Sequence, residues 1–351
     1  MANMAQAIRM ALHYAETHLG VGNIFGQDVG APLGGVFTAT QGLKTAWNSP
    51  LDERGIIGMA TGIGLTGERC VAEIQFCDYI FNTIDLLKLA GNTLWCSNGH
   101  YSMPIVVMTP VGAGIRGSVY HSHSFESWAS RMPGWKIVMP SNPLDAYGLM
   151  LSAVEDPNPV LFLKPKALMR VRGEQLIPGE PENEKDLKSR IDAPLGDRSR
   201  WQPRWPSLEK YVVPIGKATV TRAGGHLTLV SSGRHVLMCN QVADEFRQNS
   251  IEIEVIDLRS IYPYDWACIR KSVQKTGKVL FVNEETEVTN FAEHLAYRCT
   301  QELFYELLAR PRVLAGKNIP GIGLHNHLEE ASVPQVGDIR KAVEDILAEI
   351  P

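Results

Sequence analysis

Ser49-Pro50-Leu51-Asp52-Glu53-Arg54, then Gly55 to Gly67, then Val71-Ala72-Glu73-Ile74-Gln75-Phe76, is the stretch that decides the fold. It predicts a capped helix start, a glycine-studded helix and a strand. Ser49 with Asp52 three residues later has the capping-box pattern, and Pro50 would take the first helical position, where its missing N–H costs nothing. Glu53 then lies in the first turn. There the unpaired amides and the positive end of the helix dipole favour a carboxylate by ~0.3–1 kcal/mol when exposed. In most proteins such a residue only stabilises its helix. It is also suited to accept a hydrogen bond from a cationic or tautomerising ring, and the rest of the chain has to decide between the two.

Outward from this stretch, helical and extended patterns alternate. Met4, Ile8, Ala11, Leu12 and Ala15 share one face of an N-terminal helix that ends near Gly20. Val21 to Phe25 predicts the first strand, and Gly26-Gln27-Asp28-Val29-Gly30 the loop at its C-terminal end, where ligands collect in open α/β sheets. Asp78 to Leu89 reads as helix, Ile105 to Thr109 as strand, Ser124 to Ser130 as a short helix and Trp135 to Met139 as strand. Asn142-Pro143-Leu144-Asp145 opens another helix with cap, proline and acid in order, before the strand Val160 to Leu163. The pattern lapses into charged residues and proline over about 171–213, with Trp201 and Trp205 among them. A connection between domains is expected there, docked as an arm on another surface because of its tryptophans. Strands at Leu227 to Val230, Glu252 to Leu258 and Val279 to Asn283 then alternate with helices Val236 to Gln248 and Asp265 to Lys275, and a helix Ile339 to Ile350 closes the chain. The expected organisation is an α/β domain over 1–170, a connection over 171–213 and a second α/β domain over 214–351, each around a mainly parallel sheet.

Composition narrows the function. The 351 residues are 44% hydrophobic and 21% charged, which is ordinary for a globular protein and leaves no reason to expect disorder. A net charge of -4 gives no attraction to nucleic acid or to an anionic membrane. The weakly polar run Gly55 to Gly67 is too short for a bilayer span, and residues 1–20 lack a signal-peptide core, so the expected location is the cytoplasm, or the mitochondrial matrix for a mature imported chain. Six cysteines without CxxC spacing suggest a reducing compartment and no ordinary zinc site.

Two GxGxxG matches fail as dinucleotide fingerprints. Gly62 to Gly67 precedes a strand, and Gly112 to Gly117 follows one without opening a helix at its last glycine. The second is expected to be a mobile loop over a site. Just after it, Tyr120-His121-Ser122-His123-Ser124 places two histidines in a hydroxyl-rich segment. With no cysteine nearby and Glu126 the only neighbouring acid, acid/base work suits them better than metal binding. Phosphate-loop and nucleophile-elbow motifs are missing, and Asp197 and Asp338 follow glycines without starting a Gly-Asp-Gly magnesium-diphosphate motif.

Together with Gly34-Gly35-Val36-Phe37, Thr40-Gln41-Gly42-Leu43, Asp78-Tyr79 and Val255-Ile256-Asp257-Leu258-Arg259, these motifs stand in a familiar order. The chain resembles the beta subunit of the thiamine-diphosphate-dependent decarboxylating component of 2-oxo acid dehydrogenase complexes. Its Glu73-Ile74-Gln75-Phe76 and Asp78-Tyr79-Ile80-Phe81 pieces are most similar to the branched-chain type. The resemblance implies a transketolase-like architecture, with an N-terminal pyrimidine-binding domain and a C-terminal transketolase-type domain. It also implies an alpha subunit that holds the diphosphate and magnesium in an α2β2 heterotetramer, and a lipoyl-bearing acyltransferase as the next component. The missing Gly-Asp-Gly motif agrees with a half-site.

By the same resemblance Glu53 hydrogen-bonds the pyrimidine ring nitrogen and favours the imino tautomer. Leu51, Gln75 and Tyr79 fall in the cofactor pocket, and His121 stands near the reacting carbon as proton donor during transfer to lipoamide. Ala153, Asp156 and Asn158 match positions that help bind structural potassium in some members, although Val106 replaces a helpful threonine. Gln27 replaces an acid, His123 a glutamine and Asn283 a histidine, and Leu86 to Gly99 departs from the usual run. These changes bear on substrate and partner more than on chemistry. The resemblance therefore leaves a branched-chain 2-oxo acid dehydrogenase first, a pyruvate or acetoin type second, and a noncatalytic assembly subunit as the reading from another class.

Overall fold

The computed structural model describes residues 1–198 and 201–349. The chain divides into two compact units, one of Met1–Pro110 with Arg131–Ile215 and one of Val111–Ser130 with Gly216–Pro351.

In the first unit, parallel strands Ala46–Asn48, Val21–Gly26, Arg69–Glu73 and Ile105–Val111 lie side by side, continued by Val160–Pro165 and Lys136–Val138. Such strands are buried on both faces, which explains why Ile105–Val111 is apolar at every position but Thr109. Helix Met4–His18 is capped by Asn3 with Gln6 in a complete capping box, and packs on helix Pro143–Glu155, capped by Asn142. Their shared core holds Ile8, Leu12, Tyr147, Leu151 and Phe162.

The helix of the deciding stretch starts later than its capping pattern predicts. It spans Glu53–Leu65 with Asp52 at the cap position, and no side chain caps it. The Ser49 hydroxyl donates to the Pro50 carbonyl at 3.0 Å, and the Asp52 amide donates to the same carbonyl at 2.9 Å. A tight turn thus uses the residues that would have made the box, and Glu53 becomes the first residue of the helix. The helix expected at Asp78 to Leu89 is likewise resolved into a 3₁₀ segment Cys77–Thr83 and a helix Ile84–Cys96.

The expected connection folds as part of the first unit. It contains a helix, Glu184–Ile191, whose Leu187 and Ile191 enter the core. Buried Arg9 donates to the Ile191 carbonyl at 2.6 Å and pairs with Asp192 at 2.9 Å. Trp205 stacks on His13 with ring centres 4.1 Å apart, so this stretch packs on the first unit and not, as an arm, on another surface.

The second unit is a five-stranded sheet ordered Arg312–Gly316, Val279–Thr286, Leu227–Ser231, Ile253–Asp257 and Thr219–Arg222, parallel except for the last strand. Helices Arg234–Arg247 and Val336–Leu347 share one core, through Val242 and Val343. Helices Trp266–Thr276 and Phe291–Leu303 share another, through Val273 and Leu295. Ile350, the expected end of the closing helix, lies outside the described residues. Among the described residues no helix is long and apolar enough to cross a membrane.

Candidate active site

Three pieces of the first unit meet at the C-terminal ends of its strands. Gly26 is paired with Glu73, and after it the chain turns through Asp28, whose φ is 60°. A side chain at Gly26 would come 2.4 Å from the Glu73 carbonyl, so this turn needs glycine. The Ser49 amide donates to the Gly26 carbonyl at 3.0 Å and brings the approach to helix Glu53–Leu65 onto the same strand end. Gln75, two residues past its strand, donates through Nε2 to the Asp28 carboxylate at 3.2 Å. Arg54 closes the arrangement from the helix side: it donates to the Asn82 carbonyl at 2.7 Å and grips Asp85 through both nitrogens. Hydrogen bonding to Arg54 holds the Asp85 carboxyl well below its usual range.

Glu53 is half-buried in this setting, and among the described residues its carboxylate has no hydrogen-bond or ion-pair partner. Tyr79 is half-buried and lies edge-on to Phe76, centres 6.1 Å apart. Leu51 is 71% exposed. Glu53, Gln75 and Tyr79 are therefore carried by elements that pack together, with Leu51 on the turn leading into them.

The sequence reading gave no role to the pair beneath these residues. Glu73 and Lys164 are both fully buried and form an ion pair. Glu73 also accepts the Val36 amide at 3.0 Å, and a side chain at Gly35 would come 3.0 Å from its Oε1. The pair thus fixes the Gly34-Gly35-Val36 turn. Removing one member would leave a bare buried charge at a cost of about 3–5 kcal/mol.

His121 belongs to the second unit, on the segment following the glycine loop. The loop is not slack. Its Gly112 amide donates to the His123 carbonyl at 2.8 Å, its Ala113 amide to Glu284 Oε2 at 3.0 Å and its Arg116 amide to Glu329 Oε2 at 2.7 Å. Glu284 pairs in turn with buried Arg234 at 3.2 Å. Glu126 is pushed well above the ordinary carboxyl range, first by burial and then by Glu285 and Glu284. Arg234 offsets part of the charge of this group of carboxyls through its pair with Glu284.

Ala153 ends inside helix Pro143–Glu155, with Asp156 and Asn158 just beyond it. Asp156 is ion-paired with Lys136, and its Oδ1 accepts the Asn158 amide at 3.0 Å and Asn158 Nδ2 at 3.1 Å. A cation already neutralises this carboxylate. Among the described residues no group of three or more histidines, cysteines or acids could hold a metal ion.

Comparison with known proteins adds the lineage. The family described as "Transketolase, pyrimidine binding domain" matches residues 1–172, and "Transketolase, C-terminal domain" matches residues 216–339. The chain is 37% identical over 306 residues to the 2-oxoisovalerate dehydrogenase subunit beta of Bacillus subtilis (strain 168), covering 85% of this chain and 84% of the relative. It is 34% identical to the pyruvate dehydrogenase E1 component subunit beta of Acholeplasma laidlawii, covering 90% of this chain and 88% of that one. A solved structure described as "Split gene transketolase, inactive beta4 tetramer" superposes with a TM-score of 0.71 at 14% identity over 100% of both chains, a likeness of fold alone.

Proposed function

This chain belongs to the family of 2-oxo acid dehydrogenase beta subunits, and from that membership we propose that it supplies the pyrimidine half of a thiamine diphosphate site completed by an alpha subunit. The reaction is oxidative decarboxylation. A 2-oxo acid loses carbon dioxide, and its acyl group passes to the disulfide of a lipoyl arm, which is reduced to an acyl thioester and a thiol. Magnesium and the diphosphate fall to the alpha subunit, since this sequence lacks the Gly-Asp-Gly motif. The acyltransferase carrying the lipoyl arm is the second partner. The chain is assigned to the cytoplasm, or to the matrix in a eukaryote.

The observation that carries this reading is the half-buried carboxylate of Glu53 at the sheet's C-terminal end, without a partner among the described residues. Those residues fit an aminopyrimidine. Glu53 accepts a hydrogen bond from a ring N–H and so fixes the tautomer of the ring. Tyr79 offers an apolar ring to its flat face, Leu51 an exposed apolar side chain and Gln75 an amide for its polar edge. Bound thiamine diphosphate supplies the carbon nucleophile and the electron sink. His121, through its imidazole, carries a proton to the lipoyl sulfur as it leaves the disulfide. Potassium is left out of the proposal, because Lys136 already neutralises Asp156.

Branched-chain acids are favoured by the B. subtilis relative, with pyruvate the alternative suggested by the A. laidlawii one. The test is carbon dioxide release by the chain co-expressed with its alpha partner, with thiamine diphosphate, magnesium and an artificial electron acceptor. A preference of at least about 10-fold in kcat/KM for 3-methyl-2-oxobutanoate over pyruvate is expected, the size that one or two methyl groups in an apolar pocket can give. Activity on pyruvate alone would keep the reaction and overturn the substrate. A well-formed tetramer inactive on both would leave the noncatalytic subunit.

A further inference from the structure

The glycine loop before His121 is gripped at both ends by carboxylates that neither the resemblance nor the reaction assigns. At its start, Gly112 has φ 84°, and any side chain there would meet Glu284 Oε1 at 2.1 Å. The Glu284 carboxylate lies over this glycine and accepts the next amide, that of Ala113. At its end, Arg116 has φ 58°, a strained value for a residue with a side chain, and its amide donates to Glu329 at 2.7 Å. The Arg116 guanidinium donates to Asn326 Oδ1 at 3.1 Å, so helix Asn326–Ser332 holds this residue by both backbone and side chain. The next residue, Gly117, abuts the imidazole carrier directly. A side chain at 117 would come 2.5 Å from His121 Cβ and 2.6 Å from its carbonyl oxygen.

From this chain of contacts we infer that Glu329 is a positioning residue for His121, with Glu284 as the second anchor of the loop. Glu329 holds the Arg116 amide, the strained turn places Gly117, and Gly117 sets where the His121 backbone begins. Glu329 is 9% exposed. Its carboxylate compensates a backbone conformation that would otherwise relax, and with it the imidazole would lose its place. The carboxyl-terminal part of the chain thereby sets the geometry of a proton donor 208 residues earlier in sequence, the difference between positions 329 and 121.

The inference rests on the role proposed for His121, and its test separates the two. In the assembled enzyme, Glu329→Ala is expected to lower the lipoamide-dependent rate at least about 10-fold, through kcat more than KM, because an acid/base group is being misplaced. Dye-linked decarboxylation should fall less than threefold. Glu329→Gln, which keeps an acceptor oxygen for the Arg116 amide, should restore most of the rate. Adding Glu329→Ala to a His121→Ala enzyme should cost less than a further twofold, since two residues acting through one group do not act independently. Hydrogen exchange of residues 112–120, read without any assay of activity, should speed up in Glu329→Ala and not in Glu329→Gln. Unchanged exchange in Glu329→Ala would overturn the anchor. Faster exchange with an unaltered lipoamide rate, or with losses that multiply in the double variant, would keep the anchor and overturn its action through His121. An enzyme without decarboxylase activity would sink the functional reading and leave the exchange result standing.

Discussion

Glu53 and Glu73 stand 20 positions apart, the difference of their numbers; the helix-start position of the first was legible and the buried ion pair of the second was not. Glu53 sits at a helix start, a position with local signals, and its carboxylate proves to have no partner among the described residues. Glu73 reads like any inward strand position, and its partner Lys164 lies 91 residues away. Nothing local announces a buried ion pair, because the compensating charge is set by the sheet and not by spacing. Gln75 and Tyr79 are expected in the cofactor pocket from the resemblance of their motif to the family's, and the Gln75 contact with Asp28 was not legible in the sequence. For Glu53 the expected outcome is specific. Glu53→Gln keeps the size and removes the charge proposed to fix the ring tautomer, so turnover in the assembled enzyme should fall at least about 100-fold while thermal unfolding stays put. Unchanged decarboxylation would assign the role to another carboxylate.

Helix Glu53–Leu65 shows the same division at the next scale. Its existence was legible from pattern and its first residue was not, because the Ser49 to Asp52 segment spends its polar groups on a turn. Helix Glu184–Ile191 escaped notice because Leu187 and Ile191, four apart, are too few apolar residues to register a helical period. The glycines of helix Glu53–Leu65 are not equivalent. A side chain at Gly64 would come 2.5 Å from Met103 Sδ and 2.7 Å from Ile105 Cγ2, whereas one at Gly62 would meet nothing within 4 Å. Gly64→Ala should therefore destabilise the chain by about 1–3 kcal/mol through overpacking. Gly62→Ala should stabilise it by ~1 kcal/mol through helix propensity. Urea unfolding of the two variants checks both, and equal shifts would mean that the close approach at residue 64 is not made.

At the scale of the whole molecule, both sheets and their parallel character were legible from the alternation of elements. The allocation of chain to units was not: 111–130 joins the later residues and 171–215 the earlier ones, through contacts made at long range. Function follows the same logic of incompleteness. The purified chain without an alpha subunit is expected to bind thiamine diphosphate with a Kd above ~1 mM, since the aminopyrimidine alone offers few anchoring contacts and the sequence lacks the Gly-Asp-Gly magnesium-diphosphate motif. Titration calorimetry measures it directly, and micromolar binding would refute the half-site.

The grip on the glycine loop also imposes an order in time. The amides of Ala113 and Arg116 are bonded to acceptors 171 and 213 residues further along the chain. At ~5–20 residues per second of synthesis, these donors leave the ribosome on the order of 10–40 s before their acceptors exist. Throughout that interval the first unit has already received most of its strands, and the His121 segment must wait as an unfinished excursion from it. Residues 284 and 329 are thus what fix the segment in place.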